Sequence, residues 1–302
     1  MVLTQVYPNP DGTDNVTVEV DIIAVHGLNP RSKKETNHAC DTWRTPAGPK
    51  GKLWLRDDLP KLVPSARIFV YEYDSTVVYG TNNSTFVDKA NSLLESIRIK
   101  QVGQDEISLR PVILLGHSLG GLLIKQALIN AYNNEKYKTV KLATQGLVFF
   151  ATPHKGGRQG LVNLGQVASA IARNLGFEKG DNIIDTLEKE GMFSQLMGEL
   201  WRHRLLEYPI ISFWGEYDKI VIKESASFGL PGTNEHVVSL PASHDGICKF
   251  GDNQQDKDNL ERVIVNIYEL CHSAVSLRES LAFPKVPEGD PGRMTDAERW
   301  RS

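Results

Sequence analysis

The chain has 302 residues, of which 40% are hydrophobic and 24% charged, enough for one large α/β domain or two small ones. A net charge of −3 gives no electrostatic case for nucleic acid, and no apolar run approaches the ~20 residues of a membrane span. Three scattered cysteines, Cys40, Cys248 and Cys271, and an N-terminus without a signal-peptide pattern predict an intracellular protein, cytoplasmic or associated with an organelle or membrane surface.

Strands and helices are predicted to alternate along the chain. Short apolar runs indicate buried strands, and apolar residues three or four positions apart indicate helices. This alternation predicts an α/β fold with a mostly parallel central sheet and helices on both faces. The predicted strands are 2–7, 16–25, 66–73, 111–115, 145–151, 210–214 and 236–240, and the main predicted helices are 54–62, 85–100, 119–130 and 259–280.

Three segments are expected to interrupt or follow this framework within a domain that spans 1–280. Residues 29–52 form a long polar loop in which Trp43 is the expected anchor. Residues 157–208 have helical spacing without a strand signal, which predicts a helical lid inserted between two strands. Residues 281–302 are rich in proline and glycine and are expected to be a linker or tail, with a partner domain beyond it as one interpretation.

The sequence from Gly116 to Gly120 matches the G-x-S-x-G pattern, with a predicted strand before it and a predicted helix after it. In this context the pattern predicts a sharp strand-to-helix turn that exposes the hydroxyl of Ser118 as a nucleophile. The amide of Leu119, at the N-terminus of the helix, is expected to face the position where an oxyanion would form.

A serine nucleophile needs a base, and His244 is the favoured candidate. It follows the last predicted strand in a loop, where its imidazole can reach back to Ser118. His203 and His272 fall inside predicted helices and are expected to be solvated or packed there.

The acid that orients the base is expected after the penultimate strand, because the expected chain order is serine, acid, histidine. Asp218 is favoured there, and Glu216 is the runner-up because it lies closer to the strand end. Glu224 lies a few residues further on and is the third candidate.

The loop after the strand that ends at Val25 is expected to provide a second oxyanion donor. Gly27 allows the backbone to approach a substrate closely, so the segment Gly27–Leu28 is the candidate, and His26 is expected to brace it. His154 either fixes the turn at Pro153 or lines the substrate pocket. No metal-ligand spacing and no phosphate loop are present, so no cofactor is predicted.

Together these pieces resemble the α/β-hydrolase superfamily. More narrowly, the chain resembles lipase-like serine hydrolases of the serine-active-site-containing family, found in animal mitochondria and endoplasmic reticulum. Related domains stand at the N-terminus of fungal nucleotide-binding, repeat-bearing receptors. The matching segments are 25–28 with Trp43, 54–60, 71–75, 115–121, 150–156 and 243–250.

The resemblance implies Ser118 and His244 as nucleophile and base, with an acid after the penultimate strand, and more loosely an ester or lipid-acyl substrate. We therefore expect a serine esterase or lipase-like hydrolase whose partner is a small-molecule or lipid ester. Two other functions stay open: a non-catalytic recognition or signalling domain of a larger receptor-like protein, and an acyltransferase that passes the acyl group to lipid.

Overall fold

The structure, a computed structural model, describes residues 2–12, 16–30, 38–46, 48, 50–76, 83–104, 109–155, 164–179, 181, 183–185 and 204–282. Most of the expected lid, 157–208, and nearly all of the expected tail, 281–302, lie outside these residues. The expectations for both segments therefore stay predictions.

Seven strands form the central sheet, and every predicted strand is present. In chain order they are β1 (Val2–Tyr7), β2 (Val20–Val25), β5 (Ala66–Glu72), β6 (Val112–His117), β7 (Thr144–Phe150), β8 (Ile210–Gly215) and β9 (Glu235–Leu240), while β3 (Arg44–Thr45) and β4 (Lys52–Leu53) form a separate pair. The spatial order is β1-β5-β2-β6-β7-β8-β9, with β1 antiparallel to β5 and all other neighbours parallel. The predicted mostly parallel sheet is confirmed.

The helices agree with the sequence patterns at most positions, with two kinds of difference. The predicted helix 54–62 is wrong as a single helix: it divides into an α-helix and a 3-10 turn, because Pro60 has no amide hydrogen to continue the first. The short helices at 38–41, 138–143 and 223–226 were not predicted. The helices are α1 (His38–Asp41), α2 (Trp54–Asp57), α3 (Asn83–Lys100), α4 (Leu119–Tyr132), α5 (Lys138–Ala143), α6 (Leu164–Asn174), α7 (Lys223–Ala226) and α8 (Gln254–Ala282), with 3-10 turns at Leu59–Lys61 and Glu135–Tyr137.

A hydrophobic core lies on each face of the sheet, because successive side chains of a strand point to opposite faces. Along β2, Ile23 and Val25 belong to one core and Ile22 and Ala24 to the other. Trp43 is fully buried in the second core, as expected for the anchor of its loop.

Six parallel strands end at the same edge of the sheet, which positions the loops that follow them close together. These strands are β2, β5, β6, β7, β8 and β9. In such sheets ligands bind beyond the carboxyl ends of the strands. Within the described ranges no helix has the length and apolar character needed to cross a membrane.

Close packing between α4 and the end of β2 fixes the turn into α4. A methyl group added at Gly120 would lie 2.2 Å from the carbonyl oxygen of His26 and 2.5 Å from that of Val25. Both neighbours are backbone atoms, so the helix itself would have to move.

We predict that Gly120→Ala destabilises the protein by about 1–3 kcal/mol, since overpacking outweighs the helix propensity of alanine. Gly232→Ala is the matched control, because nothing lies within 4 Å of its added methyl. Urea unfolding measures both. Equal unfolding midpoints for the two variants would contradict the packing argument.

Candidate active site

Ser118 lies at the sharp turn between β6 and α4. Its backbone has φ 50° and ψ −127°, a left-handed φ that costs a non-glycine residue about 1–3 kcal/mol. The amide of Ser118 donates to the carbonyl oxygen of Phe150 at 2.8 Å, which ties the turn to the end of β7. The predicted strand–turn–helix context of the serine is therefore present.

Ser118, His244 and Asp218 form one line of hydrogen bonds. The Oγ of Ser118 is 2.8 Å from Nε2 of His244, and Nδ1 of His244 is 2.6 Å from Oδ2 of Asp218. All three side chains are buried, with 2%, 6% and 7% of their surfaces exposed. Because Nδ1 donates to the carboxylate, Nε2 of the neutral imidazole is the acceptor for the serine hydroxyl.

Of the three candidate acids, only Asp218 contacts His244. Its second oxygen, Oδ1, accepts hydrogen bonds from the amides of Ile220 and Val221, each at 2.9 Å. The side chains of Glu216 and Glu224 are exposed instead. Backbone donors therefore hold the Asp218 carboxylate in the orientation that meets the imidazole.

His117 was not singled out from the sequence, yet its ring contacts the loop of His244. Its Nε2 lies 3.1 Å from the carbonyl oxygen of His244, and the two rings are 5.6 Å apart. Burial, and then the neighbouring His244, hold the pKa of His117 well below its usual value, so the ring is neutral and Nε2 donates. In the described part of the chain, this is the hydrogen bond that the main-chain carbonyl of His244 accepts.

The loop expected to form an oxyanion site lies directly beside the serine. A methyl added at Gly27 would be 3.0 Å from Cβ of Ser118, so a side chain there would push the loop or the serine aside by a few tenths of an ångström. Nδ1 of His26 donates to the carbonyl of Gly27 at 2.8 Å, and the hydroxyl of Tyr73 donates to the carbonyl of His26 at 2.6 Å. Burial lowers the pKa of His26 to about 4, so this brace is neutral. Leu28 is buried next in the loop.

Leu119 begins α4 immediately after the serine, so its amide belongs to the first turn of the helix. Gly27 and Leu119 thus lie beside Ser118, one in the loop after β2 and the other at the start of α4, and Leu28 follows Gly27 in that loop. Backbone amides placed in this way are typical donors to an oxyanion.

The other described histidines form no part of this line of hydrogen bonds. His236 and His272 are exposed on β9 and α8, and His203 lies outside the described residues. His154 is buried, and neither of its ring nitrogens has a hydrogen-bond partner. Among the described residues there is no group of three or more His, Cys, Asp or Glu side chains that could hold a metal ion.

The sheet order, the turn at Ser118 and the loops at the carboxyl edge define the α/β-hydrolase fold. Comparison with solved structures agrees: vibralactone cyclase matches with a TM-score of 0.53 and 13% identity, over 87% of this chain and 74% of that protein. The monoacylglycerol lipase of Paleococcus ferrophilus is also similar, with a TM-score of 0.47, 14% identity, and 89% and 100% of the two chains covered.

In sequence the chain is similar to Protein SERAC1 of several vertebrates. The bovine protein (Bos taurus) is 28% identical over 165 residues, and the human protein (Homo sapiens) is 27% identical over 168 residues. These matches cover 49% and 50% of this chain and 24% of each SERAC1 protein. The resemblance to that family is therefore partial.

No family model matches the sequence. The expected relationship to fungal receptor-like proteins has no support from these comparisons and stays a prediction.

We predict that His117→Phe slows the covalent labelling of Ser118 by a fluorophosphonate at least about tenfold. The phenyl ring fills a similar volume but cannot hold the carbonyl of His244, and small misplacements of a reacting group can cost up to about 10²-fold. The melting temperature should change little.

His117→Gln is the matched variant, since its amide nitrogen can reach the same carbonyl as Nε2 of histidine. It should retain labelling within a few-fold of the original protein. Equal losses in the two variants, or a loss that follows the melting temperature, would count against a positioning role.

Proposed function

We propose that this chain is a serine hydrolase that cleaves carboxylic esters through an acyl-enzyme intermediate. The observation that carries the proposal is the hydrogen-bonded line from Ser118 through His244 to Asp218, at the carboxyl edge of an α/β-hydrolase sheet. In this assignment Ser118 is the nucleophile, His244 the general base and acid, and Asp218 the orienting carboxylate.

In the first half of the reaction, the Oγ of Ser118 attacks the carbonyl carbon of the ester while Nε2 of His244 takes the hydroxyl proton. The oxygen of the tetrahedral intermediate accepts hydrogen bonds from the amides of Leu119 and the Gly27–Leu28 segment. The bond to the leaving alcohol then breaks, and the imidazolium gives its proton to the departing oxygen. Asp218 stabilises the imidazolium throughout these steps.

In the second half, a water molecule takes the place of the alcohol. His244 removes a proton from the water, whose oxygen attacks the acyl carbon, and the carboxylic acid leaves as the proton returns to Ser118. Acyl transfer to a lipid alcohol would use the same groups with a different acceptor. The proposal is hydrolysis, and transfer is distinguished by adding an alcohol acceptor and analysing the products.

The finer parts of the proposal concern the substrate and the lid. We infer an acyl site covered by the inserted segment 157–208, of which α6 is described. Along α6, Val167, Ala168 and Ile171 are buried, so one side of this helix packs on the domain. A lid of this kind suits lipid-like acyl chains, while a small soluble ester should suffice to reveal the chemistry.

The cysteines support a reducing compartment as the place where the protein works. Cys40, Cys248 and Cys271 are free thiols, and burial raises the pKa of Cys271 to about 12, which keeps it unreactive. An intracellular location, with or without an organelle or membrane surface, and a partner beyond the C-terminal tail are parts of the same proposal.

We predict that Ser118→Ala abolishes fluorophosphonate labelling and the hydrolysis of p-nitrophenyl butyrate. Removal of such a nucleophile costs on the order of 10⁶-fold in turnover. Activity that survives at more than about a tenth of the original would overturn the mechanism. An original protein that neither labels nor hydrolyses would favour the recognition-domain interpretation.

We predict that Asp218→Asn lowers kcat by about 10⁴-fold, because an amide favours the wrong imidazole tautomer. Glu216→Gln is the matched control and should leave kcat nearly unchanged, since that side chain is exposed. Steady-state kinetics of both variants decides the assignment. If the Glu216 variant alone were inactive, Glu216 would be the acid instead of Asp218.

A further inference from the structure

Two buried basic side chains lack polar partners. Lys125, on α4, is 1% exposed and has no hydrogen bond or ion pair within the described ranges. His154 is 4% exposed, and both of its ring nitrogens are without a hydrogen-bond partner. A lysine is almost never fully buried unless it is paired, and a buried polar group without a partner calls for a physical explanation.

Both side chains meet at the ring of Phe228. The imidazole of His154 is stacked on this ring with 3.6 Å between centroids, and Nζ of Lys125 lies 5.2 Å from the same centroid. Lys155 is close as well, because a methyl added at Gly229 would lie 3.3 Å from its Nζ. Three basic groups therefore surround the Phe228–Gly229 segment.

Among the described residues, no carboxylate pairs with these groups. Burial alone lowers the pKa of Lys125 to about 7, and burial together with Lys125 and Lys155 lowers the pKa of His154. Glu235, the first residue of β9, contacts this segment, but its two oxygens accept from the amides of Phe228 and Leu230 and from the Ser212 hydroxyl. That carboxylate holds the backbone in place instead of pairing with the lysine.

Lys125 lies about two turns along α4 from the serine. Ser118 directly precedes the first helical residue, Leu119, so the two positions are about 10 Å apart along the axis. Helical side chains lean toward the N-terminus, which is the end of α4 that carries the serine. Thr152, in the loop after β7, packs against α4 at Gly121, and its Oγ1 donates to the carbonyl of Gly116 at 3.3 Å.

We propose that Lys125 and His154 bind a carboxylate carried by the acyl part of the ester substrate. The ammonium and the imidazole would each donate to its oxygens, and charge-assisted hydrogen bonds of this kind are the strong ones. The spacing along α4 suits a carboxylate several carbon atoms from the scissile carbonyl. This inference rests on the proposed ester hydrolysis and specifies its substrate as a half ester of a dicarboxylic acid.

The test compares two esters of equal chain length, p-nitrophenyl octanoate and p-nitrophenyl hydrogen suberate, which differ in the terminal carboxylate. In Lys125→Met, kcat/KM for the suberate half ester should fall at least about tenfold, while that for octanoate stays within about threefold. His154→Phe, which retains the stack on Phe228, should show the same selective loss. Lys257→Met makes the same chemical change at an exposed position of α8 and should affect neither ester.

A binding measurement separates this inference from the proposed chemistry. Suberate should raise the melting temperature of the Ser118→Ala protein, and the added Lys125→Met change should remove that shift. Acetate at equal concentration should give a much smaller shift, because it lacks the acyl chain.

The kinetic test overturns the inference if Lys125→Met affects both esters equally or neither. An equal shift with acetate would make this a site for free anions, which also overturns the assignment to a substrate. If Ser118→Ala retains activity, the proposed chemistry fails, while the suberate shift still decides whether the two basic groups bind a carboxylate.

Discussion

The geometry of the carboxyl edge depends on the backbone at Ser118. The chain reverses there from β6 into α4 with a left-handed φ, a conformation that persists only when neighbouring elements hold it. Two neighbours do so: the carbonyl of Phe150 accepts a hydrogen bond from the Ser118 amide, and the carbonyl of His26 packs directly against Gly120. The ends of β2, β6 and β7 thereby hold one hydroxyl at a fixed place.

The histidine is held by a different set of interactions, which come from loops. Both carboxylate oxygens of Asp218 accept hydrogen bonds within the protein, two from backbone amides and one from His244. His117 adds a hydrogen bond to the main chain of His244 from the residue next to the serine. Ser118 and His244 are therefore linked twice, once through their side chains and once through His117, which limits their relative movement.

Asp218 differs from Lys125 and His154 in whether the polar atoms of its side chain have partners among the described residues. The Asp218 carboxylate is buried and has protein donors on both oxygens, so its orientation exists before any ligand binds. Lys125 and His154 are buried just as deeply, and in the described part of the chain their side chains have no such partners. Burial without pairing opposes the charged form of an amine. A carboxylate ligand would supply the missing partner and make the charged ammonium favourable.

The sequence alone determined the sheet and the candidate nucleophile. Apolar runs such as 111–115, together with helical spacing after Ser118, are local signals, and local signals suffice for strands, helices and the turn between them. The order of serine, acid and histidine predicted Asp218 and His244, and the fold brings their side chains into line with Ser118. The choice between Asp218 and Glu216 could not be made locally, because two residues in one loop differ only in where the fold points them.

Tertiary structure decided what depends on distant partners. His117 is joined to a carbonyl 127 residues away, and Lys125 and His154 come from different elements and meet at Phe228. In the sequence Lys125 is the one charged residue of a mostly apolar helix, and nothing nearby tells whether it will be solvated, paired or buried alone. Burial and the absence of a partner are properties of the packed chain, so only the folded structure reveals these residues.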